Sequence, residues 1–276
     1  MRPKEIAVSF SGGATSAYMA HQLLELEKRG GEIVVRYILF ANTGREHEAT
    51  LKFILDCQEY WQREIIWLEY AGRKKEEGLY YDVVNFQTAS RRGEPFEALI
   101  EKRGYLPNVV TRFCTQELKV RVIEKFLNHV GCKDIVQAVG IRHDEPLRYY
   151  RIKQQENRWM PLFEWGVSKQ DVNTFWDKMP FKLQIPNYMG NCDLCFLKSR
   201  PKRVQILRQT PDVGEWWDRM EVLAYGKSKG KPRRKRNRLA TFDKNASVMD
   251  LLALSKNPTI FDLEDYQDIP CSCNID

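Results

Sequence analysis

Short apolar runs alternate with amphipathic stretches along roughly the first two thirds of the chain. The apolar runs predict strands at residues 6–10, 33–40, 65–70 and 135–139. The amphipathic stretches predict helices at residues 16–28, 48–62, 95–102, 116–130 and 169–178. This order predicts an α/β fold whose doubly wound, mainly parallel sheet is Rossmann-like and carries crossover helices. The alternation fades near Pro201, so we expect a nucleotide-binding domain over residues 1–200 and a C-terminal extension over 201–276.

A turn rich in serine and glycine joins the first predicted strand to the first predicted helix. Residues 9–16 read Ser-Phe-Ser-Gly-Gly-Ala-Thr-Ser. Glycines let the backbone approach a ligand, and the amides and hydroxyls of a helix N-terminus donate hydrogen bonds to anions. The lysine of a P-loop and the third glycine of a dinucleotide turn are both missing. The turn therefore predicts a phosphate site of another type, with a plain strand-to-helix connection as the alternative.

Cationic side chains follow the predicted strands or begin the predicted helices. In open parallel sheets ligands bind beyond the carboxyl ends of the strands, where these residues fall. They are Arg112, Lys119, Arg142 and Arg148. Arginine offers paired donors to phosphate or sulfate, so the set predicts a polyanionic substrate. The alternative for each one singly is an ion pair with a neighbouring carboxylate such as Asp144 or Glu145.

Composition places the chain among cytoplasmic globular proteins. The 276 residues are 43% hydrophobic, and no leader-like or membrane-spanning apolar run is apparent, so we expect neither export nor a membrane partner. Seven cysteines in such a chain predict metal binding rather than a disulfide framework. The net charge of +7 is concentrated in a basic run that begins at Lys227 and ends at Arg238. That run is either a solvated loop or a contact for nucleic acid.

Four sequence blocks occur together in the order typical of one enzyme family. Residues 11–16 read Ser-Gly-Gly-x-x-Ser and residues 42–46 read x-Thr-Gly-x-Glu. Residues 112–119 read Arg-x-Cys-x-x-x-x-Lys and residues 140–148 read Gly-x-Arg-x-x-Glu-x-x-Arg. Over about residues 5–200 the chain resembles the phosphoadenosine phosphosulfate (PAPS) reductases. That family belongs to the adenine nucleotide alpha-hydrolase superfamily, also called PP-loop ATP pyrophosphatases.

The resemblance implies roles for individual residues. The residues that would hold phosphate are Ser9, Ser11, Gly12, Gly13, Thr15 and Ser16. Those that would border the adenosine are Asn42, Thr43 and Gly44. The four cations named above would neutralise sulfate or pyrophosphate, with Lys119 and Arg142 acting in catalysis. Thr15 stands where ATP-cleaving members often carry an aspartate that helps to hold magnesium, which weakens the case for ATP hydrolysis without removing it, and magnesium stays a further candidate cofactor.

The cysteines depart from the family pattern in two places. Reductases of this type use a thiol in a C-terminal Glu-Cys-Gly segment, whereas this tail carries Cys271 and Cys273 around a serine. Cluster-bearing relatives pair a Cys-Cys with a distant Cys-x-x-Cys, whereas here Cys114 precedes a threonine and Cys192 pairs with Cys195. The resemblance implies a metal site of Cys114, Cys192, Cys195 and either Cys271 or Cys273. A [4Fe-4S] cluster is our first expectation and zinc the second, the other tail thiol being the nucleophile.

Three functions follow from these features. The first is a PAPS reductase-like enzyme that binds an adenylylated anion and performs sulfur redox or sulfur-transfer chemistry beside the metal, with an unidentified reducing partner. The second is an ATP-dependent sulfur transferase that modifies nucleic acid, which the basic run favours. The third is a nucleotide-binding protein without catalysis. The remaining thiols, Cys57 and Cys132, have apolar neighbours and are expected to be buried and free.

Overall fold

A six-stranded sheet forms the centre of the molecule in the order β4-β3-β2-β1-β5-β6. The computed structural model describes residues 4–72, 79–109, 111–186, 188–190, 192–227, 241–243 and 245–256. The strands are β1 Lys4–Phe10, β2 Ile33–Asn42, β3 Ile66–Tyr70, β4 Tyr81–Val84, β5 Val136–Val139 and β6 Arg158–Trp159. All neighbouring strands run parallel except β3 and β4. The predicted doubly wound, mainly parallel fold is confirmed.

Helices cover both faces of this sheet. Those in its first half are α1 Ala14–Lys28, α2 Glu48–Trp61, α3 Glu94–Arg103, α4 Phe113–Thr115, the π-helical turn Gln116–Val120 and α5 Arg121–His129. Those that follow are α6 Pro146–Ile152, α7 Pro161–Glu164, α8 Lys169–Lys178, α9 Arg200–Gln209, α10 Val213–Lys227 and α11 Val248–Lys256. In the part of the chain that the structure describes, no helix combines the length and apolar character needed to cross a bilayer.

The four strands predicted from apolar runs are present with ends shifted by at most two residues. The apolar pattern missed β4 and β6, which are the edge strands of the sheet. Only one side of an edge strand pairs with a neighbour, and β6 is two residues long, so neither leaves a long apolar signal. The helices α6 and α7 were also missed, because seven and four residues are too few to show a clear helical period.

The helix predicted over residues 116–130 begins with a π-helical turn, Gln116–Val120. Three consecutive residues of this turn are buried: Glu117, Leu118 and Lys119. The buried Lys119 is therefore part of an irregular, wider turn, which apolar periodicity in the sequence does not indicate.

The residues beyond Pro201 share the main core. Leu207, Trp217 and Leu251 lie in the same buried cluster as Ala7 and Leu39 of the central strands. The opposite face of β1 packs on α1, α2 and α8 through Ile6, Val8 and Phe10. The division at residue 200 stays a prediction. In the described part of the extension, α9, α10 and α11 cover one face of the sheet.

A buried carboxyl joins α10 to α11. Glu221 accepts hydrogen bonds from the backbone amides of Phe242, at 3.1 Å, and Val248, at 2.9 Å. Burial raises the pKa of Glu221 to about 7, and the two amide hydrogen bonds oppose that rise. The protonated carboxyl is thus favoured in the folded protein relative to the unfolded chain. Its stabilising contribution is complete below the unfolded pKa near 4.5 and is lost as the pH rises through 7.

We expect Glu221→Gln to remove this pH dependence. Between pH 4.5 and 7 the wild type should lose about 2–3 kcal/mol of unfolding free energy relative to the variant. Urea unfolding at several pH values gives the unfolding free energy of both proteins. Groups that titrate alike in the two proteins cancel when one free energy is subtracted from the other. Parallel stability curves across this pH range would contradict the assignment.

Candidate functional site

The strand order reverses between β1 and β5, which makes their carboxyl ends the ligand crevice of a doubly wound sheet. The serine- and glycine-rich turn follows β1, and the loop that starts at Gly140 follows β5. A Cβ atom on Gly140 would lie 3.1 Å from Ser16 Cα. The missing side chain lets the loop after β5 lie directly against the first turn of α1.

The turn after β1 presents the N-terminus of α1 without a capping side chain. Gly13 is the N-cap residue, in an extended conformation, and no side chain among the described residues caps the helix. The two serines instead close the turn on itself. Ser16 Oγ accepts a hydrogen bond from the Ser11 amide at 3.2 Å, donates one to the Gly13 carbonyl at 3.0 Å, and lies 3.0 Å from Ser11 Oγ. The first-turn amides of α1 therefore remain available to an anion.

The two glycines of the turn differ in what they do for the fold. Gly12 has φ +76°, and a Cβ atom there would lie 2.8 Å from Thr50 Cγ2 and 2.9 Å from Ile54 Cδ1. At Gly13 the nearest atom to a Cβ would be Ser11 Oγ, at an ordinary 3.7 Å. Packing requires glycine at position 12 and does not require it at position 13.

Arg142 brings the loop after β5 to the phosphate turn. Its side chain is only 9% exposed, and Nη1 donates to Thr15 Oγ1 at 3.2 Å. Nε donates to Asp144 Oδ1 at 2.8 Å, and Glu145 Oε2 lies 3.4 Å from Nη1. Arg148 binds the same Glu145 at 2.5 Å. The ion pairs expected as the alternative are therefore present, and they hold Arg142 at the predicted phosphate turn.

Ser9 faces away from this turn. Side chains alternate along β1, so Ser9 shares its direction with Ala7 rather than with Val8 and Phe10. Its side chain lines a cavity of about 40 Å³ together with Gln116 and Gln137. The predicted phosphate role of Ser9 stays a prediction, and its hydroxyl lies on the opposite side of the sheet from α1.

The turn after β2 is held by two buried carboxylates. Asn42 is 0% exposed, and its Nδ2 donates to Glu69 Oε1 at 2.6 Å and to the Ser90 carbonyl at 2.9 Å. Its Oδ1 accepts from the Gly44 amide at 3.1 Å. Burial raises the pKa of Glu69, against hydrogen bonds from Ser90 and Asn42. The side chain of Asn42 thus shapes the turn, while the predicted contact of Asn42, Thr43 and Gly44 with adenosine stays a prediction.

Glu46 connects this turn to the π-helical turn. One carboxylate oxygen accepts from the Thr43 amide at 2.9 Å, and both lie within 3.0 Å of Thr43 Oγ1. Lys119 Nζ lies 3.5 Å from Glu46 Oε1. Sequence reasoning noted Glu46 only as part of a motif. Its burial and its four contacts identify it as the residue that positions Lys119 beside the turn.

Three cysteines that are far apart in the sequence line one cavity. Cys114, Cys192 and Cys195 surround a space of about 30 Å³ together with Lys119 and Trp217. Burial raises the pKa of Cys114 to about 12 and also raises that of Cys192. Both are therefore neutral thiols at physiological pH in the protein as it stands. The sequence prediction that these three cysteines lie together agrees with the structure.

The predicted metal site stays a prediction. Thiol donors suit an iron-sulfur cluster or zinc. Over the described ranges, however, no group of three or more histidine, cysteine or acidic side chains is arranged to hold a metal ion. Cys271 and Cys273, predicted as fourth ligand and nucleophile, lie outside the described residues, as does the basic run after Lys227.

The remaining cysteines and cations are placed as follows. Cys57 is buried and free, as expected, whereas Cys132 is only half-buried and its thiol donates to the Val130 carbonyl at 3.7 Å. The expectation of a buried Cys132 is wrong because Cys132 follows the last turn of α5, at the surface.

Arg112 is half-buried at the start of α4, two residues before Cys114.

The extension supplies one wall of the thiol cavity. Trp217 Nε1 donates to Asp193 Oδ1 at 2.7 Å, and Asp193 also pairs with Arg45. The Arg45 guanidinium lies 4.9 Å from the ring centre of Trp216. Burial raises the pKa of Asp193, and the adjacent Arg45 opposes that rise. Sequence reasoning missed these residues; only the place of Asp193 between Cys192 and Cys195 offered a signal.

Comparisons with known proteins agree with this geometry. The phosphoadenosine phosphosulfate reductase domain matches residues 5–183. An uncharacterized nin region protein of Escherichia phage lambda is 33% identical over 202 residues, which cover 71% of this chain and 67% of the phage protein. An uncharacterized protein of Methanocaldococcus jannaschii is 27% identical over 226 residues, covering 78% of this chain and 41% of the archaeal protein. No solved structure matches the chain significantly.

The domain match spans more than half of the chain, and it contains the phosphate turn, Arg142 and Arg148. In a fold of the expected type, the first and fourth blocks of the resemblance meet through Thr15 and Arg142, and the second and third meet through Glu46 and Lys119. The chain belongs to the phosphoadenosine phosphosulfate reductase family.

Proposed function

We propose that the protein is a PAPS reductase-like enzyme that binds an adenylylated anion at the N-terminus of α1 and performs sulfur chemistry beside the thiol cavity. The observation that carries the proposal is the contact of Arg142 with Thr15 at the uncapped start of α1, 3.2 Å long. A buried guanidinium next to free helix amides is an arrangement that favours a phosphoryl or sulfuryl group.

Binding would redistribute the ion pairs of the crevice. Asp144 and Glu145 neutralise Arg142 and Arg148 in the protein as it stands. A ligand with several negative charges competes with these carboxylates for the same guanidinium groups. Gly13 leaves room on the crevice side for the backbone amide to reach a phosphate oxygen.

The proposed reaction divides the work between cations and a thiol. Arg142 offsets the charge that develops on the leaving phosphate. The thiolate of Cys271 or Cys273 attacks the sulfur, forming a sulfur–sulfur bond while the sulfur–oxygen bond breaks and its electron pair stays on the phosphate oxygen. A thiolate of the reducing partner then attacks the cysteine sulfur and forms a mixed disulfide, while the bond to the sulfonate breaks and sulfite leaves with the electron pair. Lys119, beside Glu46, would lower the pKa of a thiol that enters the cavity.

The reaction products test this function and separate it from the alternatives. Calorimetry with PAPS, adenylylsulfate and ATP identifies the nucleotide, and product analysis follows each one that binds. Sulfite with adenosine 3′,5′-bisphosphate supports the reductase-like reaction. Pyrophosphate formed from ATP would instead support an ATP-dependent sulfur transferase, with magnesium as its cofactor. Nucleotide binding without any product would leave the non-catalytic alternative.

The metal forms a separate part of the proposal. We propose that Cys114, Cys192, Cys195 and either Cys271 or Cys273 hold a [4Fe-4S] cluster, with zinc as the second option. The convergence of three thiols on one cavity supports this ligand set. When bound, such a cluster would supply electron-transfer capacity next to the crevice. No step of the thiol reaction above depends on it.

We expect Cys114→Ser to lose metal and Cys132→Ser to retain it. The two substitutions are chemically identical, and Cys132 lies away from the thiol cavity at the end of α5. Anaerobic purification with iron, sulfide and zinc analysis measures the content of each variant. A metal-free wild type, or equal metal content in the two variants, would contradict the ligand assignment.

The second candidate function is favoured by two features. The first is the basic run from Lys227 to Arg238. The second is α6, which exposes aromatic and cationic side chains beside the crevice. An ATP-dependent sulfur transferase would use such surfaces to bring a nucleic acid to the adenylylating nucleotide. The pyrophosphate assay above decides between this candidate and the reductase-like one.

A further inference from the structure

Large apolar side chains are exposed on α6, directly after the loop that carries Arg142. Leu147 is 81% exposed and Tyr150 is 57% exposed. Because they are three positions apart on a helix, their side chains are neighbours on one face. Single exposed apolar residues are common on protein surfaces, whereas two large adjacent ones form a contiguous apolar patch.

A group of packed aromatic rings supports this face. Tyr149 stacks on Phe163 with ring centres 3.7 Å apart and planes within 6° of parallel. The ring of His143 lies 4.9 Å from that of Phe163 at a tilt of 37°, and Tyr150 meets Tyr149 edge-on at 5.4 Å. These rings join α6 to α7 and to the loop after β5. Tyr150 is therefore displayed at the edge of a packed aromatic group.

The charge of α6 is entirely positive. Arg148, Arg151 and Lys153 lie in the segment from Pro146 to Lys153, which contains no carboxylate. Lys153 Nζ lies 4.7 Å from the ring centre of Tyr150, so the ammonium group accompanies the exposed ring. Arg148 is half-buried and pairs with Glu145, whereas Arg151 and Lys153 are exposed to solvent.

We propose that this α6 surface, formed by Leu147, Tyr150, Arg151 and Lys153, binds single-stranded nucleic acid. An unpaired base would stack on Tyr150 and Leu147, while Arg151 and Lys153 would contact the adjoining phosphates. Stacking between successive base pairs covers the faces of the bases in a duplex, so the apolar pair selects an unpaired strand. A strand bound here passes the mouth of the crevice, because α6 also carries Arg148 beside Arg142.

The inference rests on the second candidate function, for which it names the substrate class and the docking surface. Its charge pattern separates a nucleic acid from a protein partner. An apolar protein interface is depleted of charge at its centre, whereas here a lysine lies over the exposed ring.

The test is fluorescence anisotropy with the full chain and a labelled single strand of about 20 thymidines at about 50 mM salt. Tyr150→Ala should weaken binding about tenfold, since it removes one stacking partner. Arg151→Ala combined with Lys153→Ala should reduce the salt dependence by about one to two phosphate contacts. The matched control is Tyr60→Ala on α2, which is 48% exposed and should bind as the wild type does. A parallel strand of uridines decides between DNA and RNA.

Four results would overturn the proposal: no binding at low salt, unchanged affinity in Tyr150→Ala, an equal loss in Tyr60→Ala, or preference for the duplex. If replacing the lysines and arginines between 229 and 238 abolishes binding that Tyr150→Ala leaves intact, the strand binds the basic run instead, and the proposal again fails. Nucleotide calorimetry on the same samples keeps the two conclusions apart. A strand that binds through Tyr150 while no nucleotide binds would refute the proposed function and support the α6 surface.

Discussion

Replacing Arg142 with alanine should lower kcat/KM for the adenylylated substrate by about 100- to 1,000-fold, the loss typical of removing one group that stabilises transition-state charge. The guanidinium is almost fully buried and lies against the first turn of α1 through Thr15. It therefore acts in a site with little water to screen it. Its removal also leaves Asp144 and Glu145 without their shared partner, and their charge then repels the incoming anion.

Steady-state kinetics on Arg142→Ala, Arg142→Lys and Arg36→Ala would measure this effect. Lysine restores the charge but not the paired donors, so we expect partial recovery. Arg36 lies in the amino-terminal half of β2, away from the crevice, and pairs with Glu5 at 2.6 Å. Its replacement should leave turnover unchanged. Comparable losses in Arg142→Ala and Arg36→Ala would mean that Arg142 serves the fold rather than the reaction.

Alanine at the two glycines of the phosphate turn should separate stability from binding. Gly12→Ala places a Cβ atom within 2.9 Å of both Thr50 and Ile54 while keeping a positive φ. Strain and overpacking together should lower the unfolding free energy by about 3–5 kcal/mol. Gly13→Ala has no such conflict in the protein itself. Its unfolding free energy should change by no more than about 1 kcal/mol.

Nucleotide affinity should show the reverse contrast for Gly13→Ala. The added methyl group lies where a phosphate oxygen would approach the backbone amide, so we expect at least about tenfold weaker binding, equivalent to about 1.4 kcal/mol. Urea unfolding and calorimetry on the same preparations provide both numbers. Wild-type affinity in a stable Gly13→Ala variant would exclude close approach of the ligand to this amide.

The parts of the fold predicted from sequence are those whose signal is local. Each such signal lies within a few neighbouring residues. The examples are the apolar run before Ser11, the glycine turn and the amphipathic pattern that predicts α5. The crevice was predictable too, because parallel strands place their carboxyl ends at one edge. The resemblance then joined Thr15 and Arg142, which are 127 positions apart and form a hydrogen bond.

The features that sequence reasoning missed depend on contacts between distant segments. Trp217 reaches Asp193 from an extension in which the strand rhythm had faded. Lys119 is buried in a π-helical turn, which apolar periodicity in the sequence does not indicate. Ser9 was grouped with the turn by proximity in sequence, whereas the alternation of β1 sends its side chain to the other face. Tertiary packing decides each of these cases.

Trp217 and Leu207 belong to the same core as the central strands, although the domain match ends at residue 183. A fragment trimmed at that limit would lose Cys192, Cys195 and Trp217 from the thiol cavity, and it would lose the helices that cover one side of the sheet. Such a fragment would be expected to aggregate, so its failure to turn over substrate would not separate lost burial from missing chemistry. The domain match sets a shorter length for this protein than its folding unit does.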